Sequence, residues 1–480
     1  MDEIKPYQLR VWRVNVRTRS LTWEPVPEAW ERLGGRGLIA RILLDEVDPR
    51  CDPLGPKNKL IFCNGLLTGH MLSSIDRLSV GGKSPLTGGI KEANSGGTTG
   101  LQMALLGIKA LILDDWPSDK GLYVLVVNMD GIRFEPADDL AGKGVYETAE
   151  VLKQRFGKSI ALSIIGPAGE RQLIAAGISN LDKDGVPSRV NARGGLGAVM
   201  GSKGLKAIVF DASGGQKPPI KDIDLFRQSQ KVFNKFLLEH PQTHTYRDYG
   251  TAAMARMADG FGALPTRNFS SGTFEHVADI SGENLREIIL RRGGEGNPTH
   301  ACMPGCVIRC SNIFAGEDGK TIVAPIEYET IGLMGSNLGI RELDWVGRLN
   351  WQANDLGLCT IELGATLGVA AEAIYKTLHP ILPHGETIGL IGLLALAANT
   401  WCFLLLYRHR ADNLNMSSVW LCSRNDLFAN GGVILAGIAV IYSQSRWPDI
   451  IVGGIIAALF LKSAVSVLQQ SITSLRSQSN

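Results

Sequence analysis

The chain has 480 residues, enough for two or three domains with hydrophobic cores, and a formal net charge of +2. Because acidic and basic residues nearly balance, bulk attraction does not favour nucleic acid as a partner. Residues 1–20 are polar and mixed in charge, so no secretory signal is predicted and the N-terminal part is expected to stay in a reducing cytoplasm.

Residues 1–211 are predicted to form a mostly β domain. Short apolar runs rich in β-branched residues have the pattern of strands, as in LRVWRVNVRT, KLIFCNG, ALILDD and YVLVVNM. Two glycine-rich loops, ANSGG at 93–97 and ARGGLGAVMGSK at 192–203, pair glycine with polar or basic residues. Exposed backbone N–H groups and arginine suit an anionic, phosphate-bearing cofactor. Ordinary turns without a ligand are the alternative, because glycine is also common in turns.

Residues 212–371 are predicted to be helical, because FRQSQKVFNKFLLEH, ENLREIILRR and ELDWVGRLNWQANDLG space apolar residues by three and four. This region contains HACMPGCVIRC, in which Cys302, Cys306 and Cys310 fall within nine positions. Three thiolates in a short loop can reach three corners of an iron–sulfur cube. A zinc site with one further ligand and three unliganded buried cysteines are the alternatives.

Composition changes after about residue 385, where three stretches are almost wholly apolar (387–407, 427–442 and 450–461). The first is long enough to span a bilayer at roughly 20 residues, so residues 374–472 are predicted to hold three transmembrane helices. Three buried helices of a soluble domain are the alternative. The predicted fold is therefore α+β, with a mostly β domain, a helical domain and three membrane spans.

Residues 1–371 carry eight ordered blocks that resemble aldehyde:ferredoxin oxidoreductases. They are RVNVRTRSLTWEPVP, LGGRGLIARILLDEV, NGLLTGH, GGKSPLTGGIKEANSGG, ARGGLGAVMGSKGLKAIV, the cysteine cluster, EYETIGLMGSNLGI and NDLGLCTIELG. The resemblance implies a tungsten (or molybdenum) pterin beside a [4Fe–4S] cluster. It also implies oxidation of an aldehyde to a carboxylic acid, with electrons passed to ferredoxin or a similar carrier, and it leaves a homodimer open.

The resemblance assigns residues to both cofactors. Arg77 would lie between cluster and pterin, and Cys302, Cys306 and Cys310 would bind the cluster. The residues expected at the pterin are Asn94, Gly96, Arg189, Val190, Arg193 and the motif residues Asn354, Gly357, Leu358 and Cys359. An ordinary surface ion pair is the alternative for Arg77 and Arg193.

Three departures from the family pattern accompany these assignments. Asn354 replaces the aspartate that opens the pterin motif D-x-x-G-L-[CD], and the cluster spacing is C-x3-C-x3-C in place of C-x2-C-x3-C. The family's C-terminal domain, with a second such motif and the fourth cluster cysteine, is expected to be absent. The resemblance therefore implies a truncated member, and no catalytic residue is assigned.

Residues from 374 onward resemble the last three transmembrane helices of cation diffusion facilitators, which exchange divalent metal for protons. In VWLCSRNDLFANGGVILAG, Cys422 and Asp426 stand where that family has a metal-binding His-x-x-x-Asp. A thiolate and a carboxylate four residues apart on a helix can share a divalent cation, whereas Asp426 could instead pair with Arg424. A partial divalent-cation efflux transporter and a non-catalytic fusion are thus the alternative functions.

Overall fold

The structure is a computed structural model that describes residues 7–378, 385–407, 414–443, 445, 447–448 and 451–452. It divides into two compact units, Met1–Glu372 and Ala373–Asn480. The first unit has an α+β fold, in which two six-stranded sheets are followed by helices and a three-stranded sheet.

The first sheet begins the chain and holds one wall of the site. Its strands are β1 (Arg10–Asn15), β2 (Ser20–Pro25), β3 (Leu60–Asn64), β4 (Leu78–Lys83), β5 (Ile90–Ser95) and β6 (Ile108–Asp114), in the order β2-β1-β6-β3-β4-β5. The helices of this part are α1 (Glu28–Glu31), α2 (Gly35–Glu46) and α3 (Thr99–Leu105). Strands β3 and β4 are buried at every position because apolar residues cover both faces, those of α2 on one side.

The second sheet supplies the opposite wall. Its strands are β7 (Tyr123–Asn128), β8 (Gly131–Pro136), β9 (Ala161–Ile164), β10 (Ile178–Asn180), β11 (Arg189–Asn191) and β12 (Leu205–Phe210), in the order β11-β10-β9-β12-β7-β8. Its helices are α4 (Val145–Phe156), α5 (Pro167–Glu170) and α6 (Leu196–Ser202). The two sheets share one core, in which the rings of Phe62 and Phe210 lie 6.3 Å apart.

A buried polar network fixes the end of β5 against β10 and β11. The Ser95 hydroxyl lies 3.0 Å from Asn191 Oδ1, and Asn180 Nδ2 donates to Ser95 Oγ at 3.2 Å and to Asn191 Oδ1 at 2.8 Å. Because these side chains are at most 3% exposed, each hydrogen bond has little competition from water. The network therefore sets the loop after β5 beside the loop after β11.

Residues 223–378 contain helices and a small sheet. The helices are α7 (Ile223–Glu239), α8 (Pro241–Tyr249), α9 (Met254–Gly260), α10 (Gly282–Arg292), α11 (Tyr328–Thr330), α12 (Leu343–Leu356) and α13 (Thr360–Leu378). The strands β13 (Asn297–His300), β14 (Ser311–Ala315) and β15 (Thr321–Val323) pair antiparallel in that order. The helical prediction did not include this sheet, because its strands are too short to show an alternating pattern.

The second unit contains α14 (Gly385–Tyr407) and α15 (Leu414–Ser443), which pack against each other. A Cβ atom at Gly392 would lie only 2.8 Å from Ile434 Cγ1, so glycine permits this close approach. Among the described residues, no helix is long and apolar enough to cross a membrane. The prediction of three transmembrane helices is therefore not supported, and most of its third stretch lies outside the described residues.

Candidate functional site

A cavity of about 340 Å³ lies in the first unit, between the ends of β5 and β11, the cysteine loop (residues 301–310) and the start of α13. Most of the residues assigned from the sequence line it, namely Arg77, Asn94, Gly96, Arg189, Val190, Arg193, Cys302, Cys310, Asn354, Leu358 and Cys359. Cys306 and Gly357 do not line it. Cys422 and Asp426 lie in α15 of the second unit, and their side chains are outside the described ones.

Arg77 and Asn94 meet where β4 begins and β5 ends. The guanidinium Nε of Arg77 donates a hydrogen bond to Asn94 Oδ1, and Asn94 Nδ2 donates to Ser79 Oγ at 3.2 Å. The Ser79 hydroxyl in turn bonds Glu92 Oε1 at 2.7 Å. No ion pair of Arg77 is present within the described residues, so its partner is a neutral amide and its positive charge is not cancelled by a contacting carboxylate.

Arg189 is the most enclosed cation of the cavity. On β11 and 8% exposed, it donates from Nη2 to Ser311 Oγ at 2.8 Å, and its Nη1 lies 3.7 Å from Glu327 Oε1. Its Nε is buried without a hydrogen-bond partner. Buried donors are rarely left unpaired, so this orphaned N–H fits an acceptor supplied by a ligand.

The loop after β11 turns through three successive left-handed residues. Arg193, Gly194 and Gly195 have φ values of 64°, 90° and 76° before α6 begins at Leu196. A Cβ atom at Gly195 would lie 2.6 Å from Pro85 Cγ, so the turn requires glycine there. This conformation places Arg193 on the cavity wall and points the N–H of Gly194 to Glu362 Oε1 at 2.7 Å.

The Gly-Ser-Lys sequence at 201–203 lies at the end of α6, and its lysine has a structural role. Lys203 is 1% exposed, and its Nζ donates to the carbonyl oxygens of Asn58 at 2.8 Å and Asp115 at 3.1 Å. Burial lowers the pKa of Lys203 to about 8. Lys203 is therefore not one of the positively charged side chains that line the cavity, whereas Arg193 is.

The segment 354–359 forms another part of the cavity wall. Gly357, with φ +73°, ends α12, and a Cβ atom there would lie 2.5 Å from the backbone nitrogen of Gly166. Cys359 donates its N–H to the Ala175 carbonyl at 2.9 Å. Gly357 does not line the cavity, but the turn that it makes brings Leu358 and Cys359 to the cavity wall. Burial raises the pKa of the Cys359 thiol.

The cysteine loop connects β13 to β14. Hydrogen bonds from the Cys302 thiol and from the backbone N–H groups of Ile308 and Arg309 lower the pKa of Cys306, against burial that raises it. Donation to Cys306, together with burial, raises the pKa of Cys302, and burial raises that of Cys310 to about 11. Cys306 is therefore the cysteine of this loop whose surroundings favour the thiolate, the form that binds metals.

Spacing within this loop bears on the zinc alternative. Among the described residues, the sulfurs of Cys302, Cys306 and Cys310 do not all lie within 4.8 Å of one another. Thiolates on one tetrahedral zinc would be roughly 3.8 Å apart, whereas a four-iron cube separates its ligands more widely. A Cβ atom at Gly96 would lie 2.9 Å from Cys302 Sγ, so a larger residue there would displace the Cys302 thiol.

Several cavity residues were not anticipated from the sequence, notably Glu327 and Ser311. Glu327 accepts a hydrogen bond from the Thr251 hydroxyl, and burial raises its pKa despite the nearby Arg189. Glu327 is the first residue of EYETIGLMGSNLGI, one of the blocks that carry the family resemblance. The resemblance assigned no role to its side chain.

Family models match most of the chain. Residues 11–212 match the N-terminal domain of aldehyde ferredoxin oxidoreductase, and residues 228–384 match domains 2 and 3 of the same family. Residues 359–476 match the cation efflux transmembrane domain.

Curated relatives include tungsten-containing aldehyde ferredoxin oxidoreductases. That of Thermococcus kodakarensis is 38% identical over 373 residues, and that of Pyrococcus furiosus is 36% identical over 374. Each alignment covers 76% of this chain and 58% of the relative. The WOR-like subunit of an aliphatic sulfonate oxidoreductase of Pyrococcus furiosus is 29% identical over 359 residues, 71% of this chain and 54% of that protein.

A solved structure shares the fold. It is the active site complex BamBC of benzoyl coenzyme A reductase with 1,5-dienoyl-CoA, with a TM-score of 0.63 and 24% identity over 78% of this chain and 57% of that one. The chain spans a little over half the length of the curated relatives that it matches. Over the residues matched by its two family models, the chain belongs to the aldehyde ferredoxin oxidoreductase family.

Proposed function

We propose that the first unit holds a tungsten (or molybdenum) pterin beside a [4Fe–4S] cluster. We further propose that it serves in oxidising an aldehyde to a carboxylic acid, with ferredoxin or a similar carrier as electron acceptor. The observation that carries the proposal is that Arg77, Asn94 and Arg193 line the same cavity as Cys302 and Cys310. The names of the relatives supply the metal and the substrate class.

The residues present fit an anionic cofactor. The buried Nε of Arg189 has no partner of its own, and Arg77 is held by an amide. Arginine forms charge-assisted hydrogen bonds to phosphate with defined geometry. A volume of about 340 Å³ is within the usual range for bound cofactors, and glycine at position 96 leaves room beside Cys302.

The residues present also fit a cluster. Backbone N–H groups and the Cys302 thiol lower the pKa of Cys306, which favours the thiolate form of this side chain. Hydrogen bonds to cluster sulfurs are among the interactions that tune such centres. Arg77 and Arg189 both act electrostatically on Cys302, so positive charge would offset the negative charge of a thiolate-bound cluster.

When bound, the metal–pterin group supplies two-electron oxidation and the cluster supplies one-electron transfer. The chain's own contribution would be to orient these groups and to manage a proton. Glu327 lines the cavity and burial raises its pKa, so its carboxyl group is a candidate to hold or release a proton there. Its Oε2 accepts from Thr251 and its Oε1 faces Arg189, which fixes the orientation of the group.

Metal analysis of the full chain purified without oxygen tests the proposal. We expect tungsten or molybdenum together with about four irons per chain, and aldehyde-dependent reduction of a viologen dye. Arg193→Ala should lower the tungsten or molybdenum content and leave iron unchanged. Arg50→Ala, at an exposed arginine paired with Asp48, is the matched control. Purified chain with iron but neither tungsten nor molybdenum would contradict the pterin assignment.

Membrane association is proposed on the cation efflux match of residues 359–476 alone. Extraction of cell membranes with alkaline carbonate tests it, since release of the full chain into the supernatant would oppose it. Divalent-cation transport is not proposed, because the side chains of Cys422 and Asp426 lie outside the described ones. The homodimer stays a prediction.

A further inference from the structure

Outside the cavity, three ligand-type side chains meet beside the cysteine loop. Asp182 and Asp184 lie in the loop between β10 and β11, and His300 ends β13, two residues before Cys302. A carboxylate oxygen from each aspartate and a ring nitrogen of His300 all lie within 4.8 Å of one another. Segments more than a hundred residues apart in sequence are thus brought together at one point.

The buried ring nitrogen of His300 faces two carboxylates without a hydrogen bond to either. Its Nε2 is 3.4 Å from Asp182 Oδ2 and 3.5 Å from Asp184 Oδ2, and it has no hydrogen-bond partner although the residue is only 3% exposed. An N–H···O bond would be about 2.7–3.2 Å long. Two ligand atoms held at about 2.1 Å by one tetrahedral cation are roughly 3.4 Å apart, which matches the two distances from His300 Nε2 to the carboxylate oxygens.

Asp182 is oriented as metal-binding carboxylates are. Its Oδ1 accepts backbone N–H bonds from Asp184 at 2.9 Å and Val186 at 3.0 Å, and its Oδ2 accepts from the Ser188 hydroxyl at 3.0 Å. Burial alone would raise the pKa of Asp182, but His300, Arg189 and the two N–H groups hold it below the usual range. The group is therefore a charged carboxylate with a fixed direction.

Asp184 gives the site a route to solvent. Its side chain is 49% exposed, whereas that of Asp182 is 1% exposed. Both oxygens of Asp184 also lie 2.7 Å from Lys183 Nζ. Lys183 is partly exposed and can move away, so a cation entering from solvent would displace this ammonium group and complete its coordination with water.

We propose that Asp182, Asp184 and His300 bind one divalent first-row transition cation, of the class of Mn²⁺ or Zn²⁺, which ties the β10–β11 loop to the cysteine loop. One imidazole and two carboxylates suit such ions, and two carboxylate charges balance one dication. The inference does not depend on the proposed function, since none of the three residues lines the cavity.

Titration of the full chain with Mn²⁺, followed by the electron paramagnetic resonance signal of free Mn²⁺, tests the site. Manganese is chosen because thiolates such as those of the cysteine loop select softer metals. We expect one bound ion per chain. Asp184→Asn and His300→Gln should each weaken binding by more than about 100-fold, and Ser188→Ala by about 10-fold.

The chain offers a matched control at its surface. His276 also lies near two carboxylates, with Nε2 3.8 Å from Glu275 and Nδ1 3.5 Å from Asp279, but its side chain is 37% exposed. His276→Gln should leave Mn²⁺ binding unchanged. Because Asp184 is exposed, Asp184→Asn is expected to stay folded, which circular dichroism checks. No Mn²⁺ uptake by the wild-type chain, or unchanged uptake by Asp184→Asn and His300→Gln, would overturn the proposal.

Discussion

The cysteine loop and the turn at 354–359 both present cysteine to the same cavity, yet they hold it differently. Cys302 contacts Cys306, whose sulfur accepts backbone N–H bonds. Cys359 is fixed by main-chain hydrogen bonding to residue 175 and by a tight glycine contact behind it. The loop is therefore suited to stabilise thiolates, and the turn is suited to define the shape of the wall.

The pKa directions single out one cysteine of the loop. Hydrogen bonds lower the pKa of Cys306, whereas the pKa values of Cys302 and Cys310 are raised, as is that of the buried Cys359. Since the thiolate is the ligand form of cysteine, a cysteine that faces a cofactor cavity is not for that reason a metal ligand. The following substitutions separate the two regions.

The largest effect is expected at the cysteine loop. Cys306→Ser removes the stabilised thiolate, so the iron content should fall from about four per chain to near zero. Cys359→Ser should retain its iron, because this thiol stays protonated in its buried position. Iron analysis and the electron paramagnetic resonance spectrum of the reduced chain measure both. Equal loss of iron in the two variants would show that the turn also supplies a ligand.

Gly357→Ala should destabilise the turn. Two independent effects would destabilise the folded chain. The φ of +73° is unfavourable for alanine, and the added Cβ would lie 2.5 Å from the Gly166 nitrogen. The free energy of unfolding should fall by about 2 kcal/mol or more. Urea unfolding followed by tryptophan fluorescence measures the change. Gly260→Ala, on helix α9 with open space around it, is the control and should change stability little.

Gly96→Ala should affect iron more than stability. The added Cβ would meet Cys302 Sγ at 2.9 Å, and the thiol can rotate away at little cost to the fold. We expect the iron content to fall by at least about half while the free energy of unfolding changes by less than about 1 kcal/mol. Gly37→Ala, where nothing lies within 4 Å, is the matched control. Full iron occupancy in Gly96→Ala would mean that this contact does not set the cysteine geometry.

The smallest effect concerns the pH dependence of stability. Burial raises the pKa of Glu362 in the folded chain, so its contribution to stability is present at low pH and is lost as pH rises through the folded pKa. Glu362→Gln keeps the acceptor for the Gly194 N–H and removes the charge. Its stability relative to wild type should therefore increase as pH is raised above about 4.5.

Glu295 provides a control, because the expected change of stability with pH has the opposite sign there. Hydrogen bonds from Thr321 lower the pKa of Glu295, so Glu295→Gln should lose stability relative to wild type as pH rises. Urea unfolding at several pH values between 4 and 8 measures both. The same direction of change in the two variants would contradict the assignment of these shifts.

Local pattern predicted much of the secondary structure. The strand runs at YVLVVNM and ALILDD correspond to β7 and β6, and the helical run ENLREIILRR corresponds to α10. Each has an apolar spacing that matches its element over several residues. The strands β13–β15 were not predicted, because three to five residues are too few to show a strand pattern. They are stabilised by pairing with one another.

The cavity residues were named through the family resemblance, and the structure adds how they are placed. Asn180 and Asn191 were not singled out, yet their buried hydrogen bonds bring β5 and β11 together. Lys203 ends a glycine-rich segment whose composition suits a phosphate-bearing cofactor. Its ammonium group is nevertheless buried and donates to backbone carbonyl groups. Residue type alone does not reveal the direction of a side chain.

Residue types and their order along the chain were enough to predict the family and the cluster of three cysteines. The lowered pKa of Cys306, the hydrogen bond that holds Cys359 in the cavity wall and the approach of His300 to Asp182 and Asp184 could be seen only in the folded chain. Spacing along the chain governs local conformation, whereas protonation and metal binding depend on burial and on partners from distant segments.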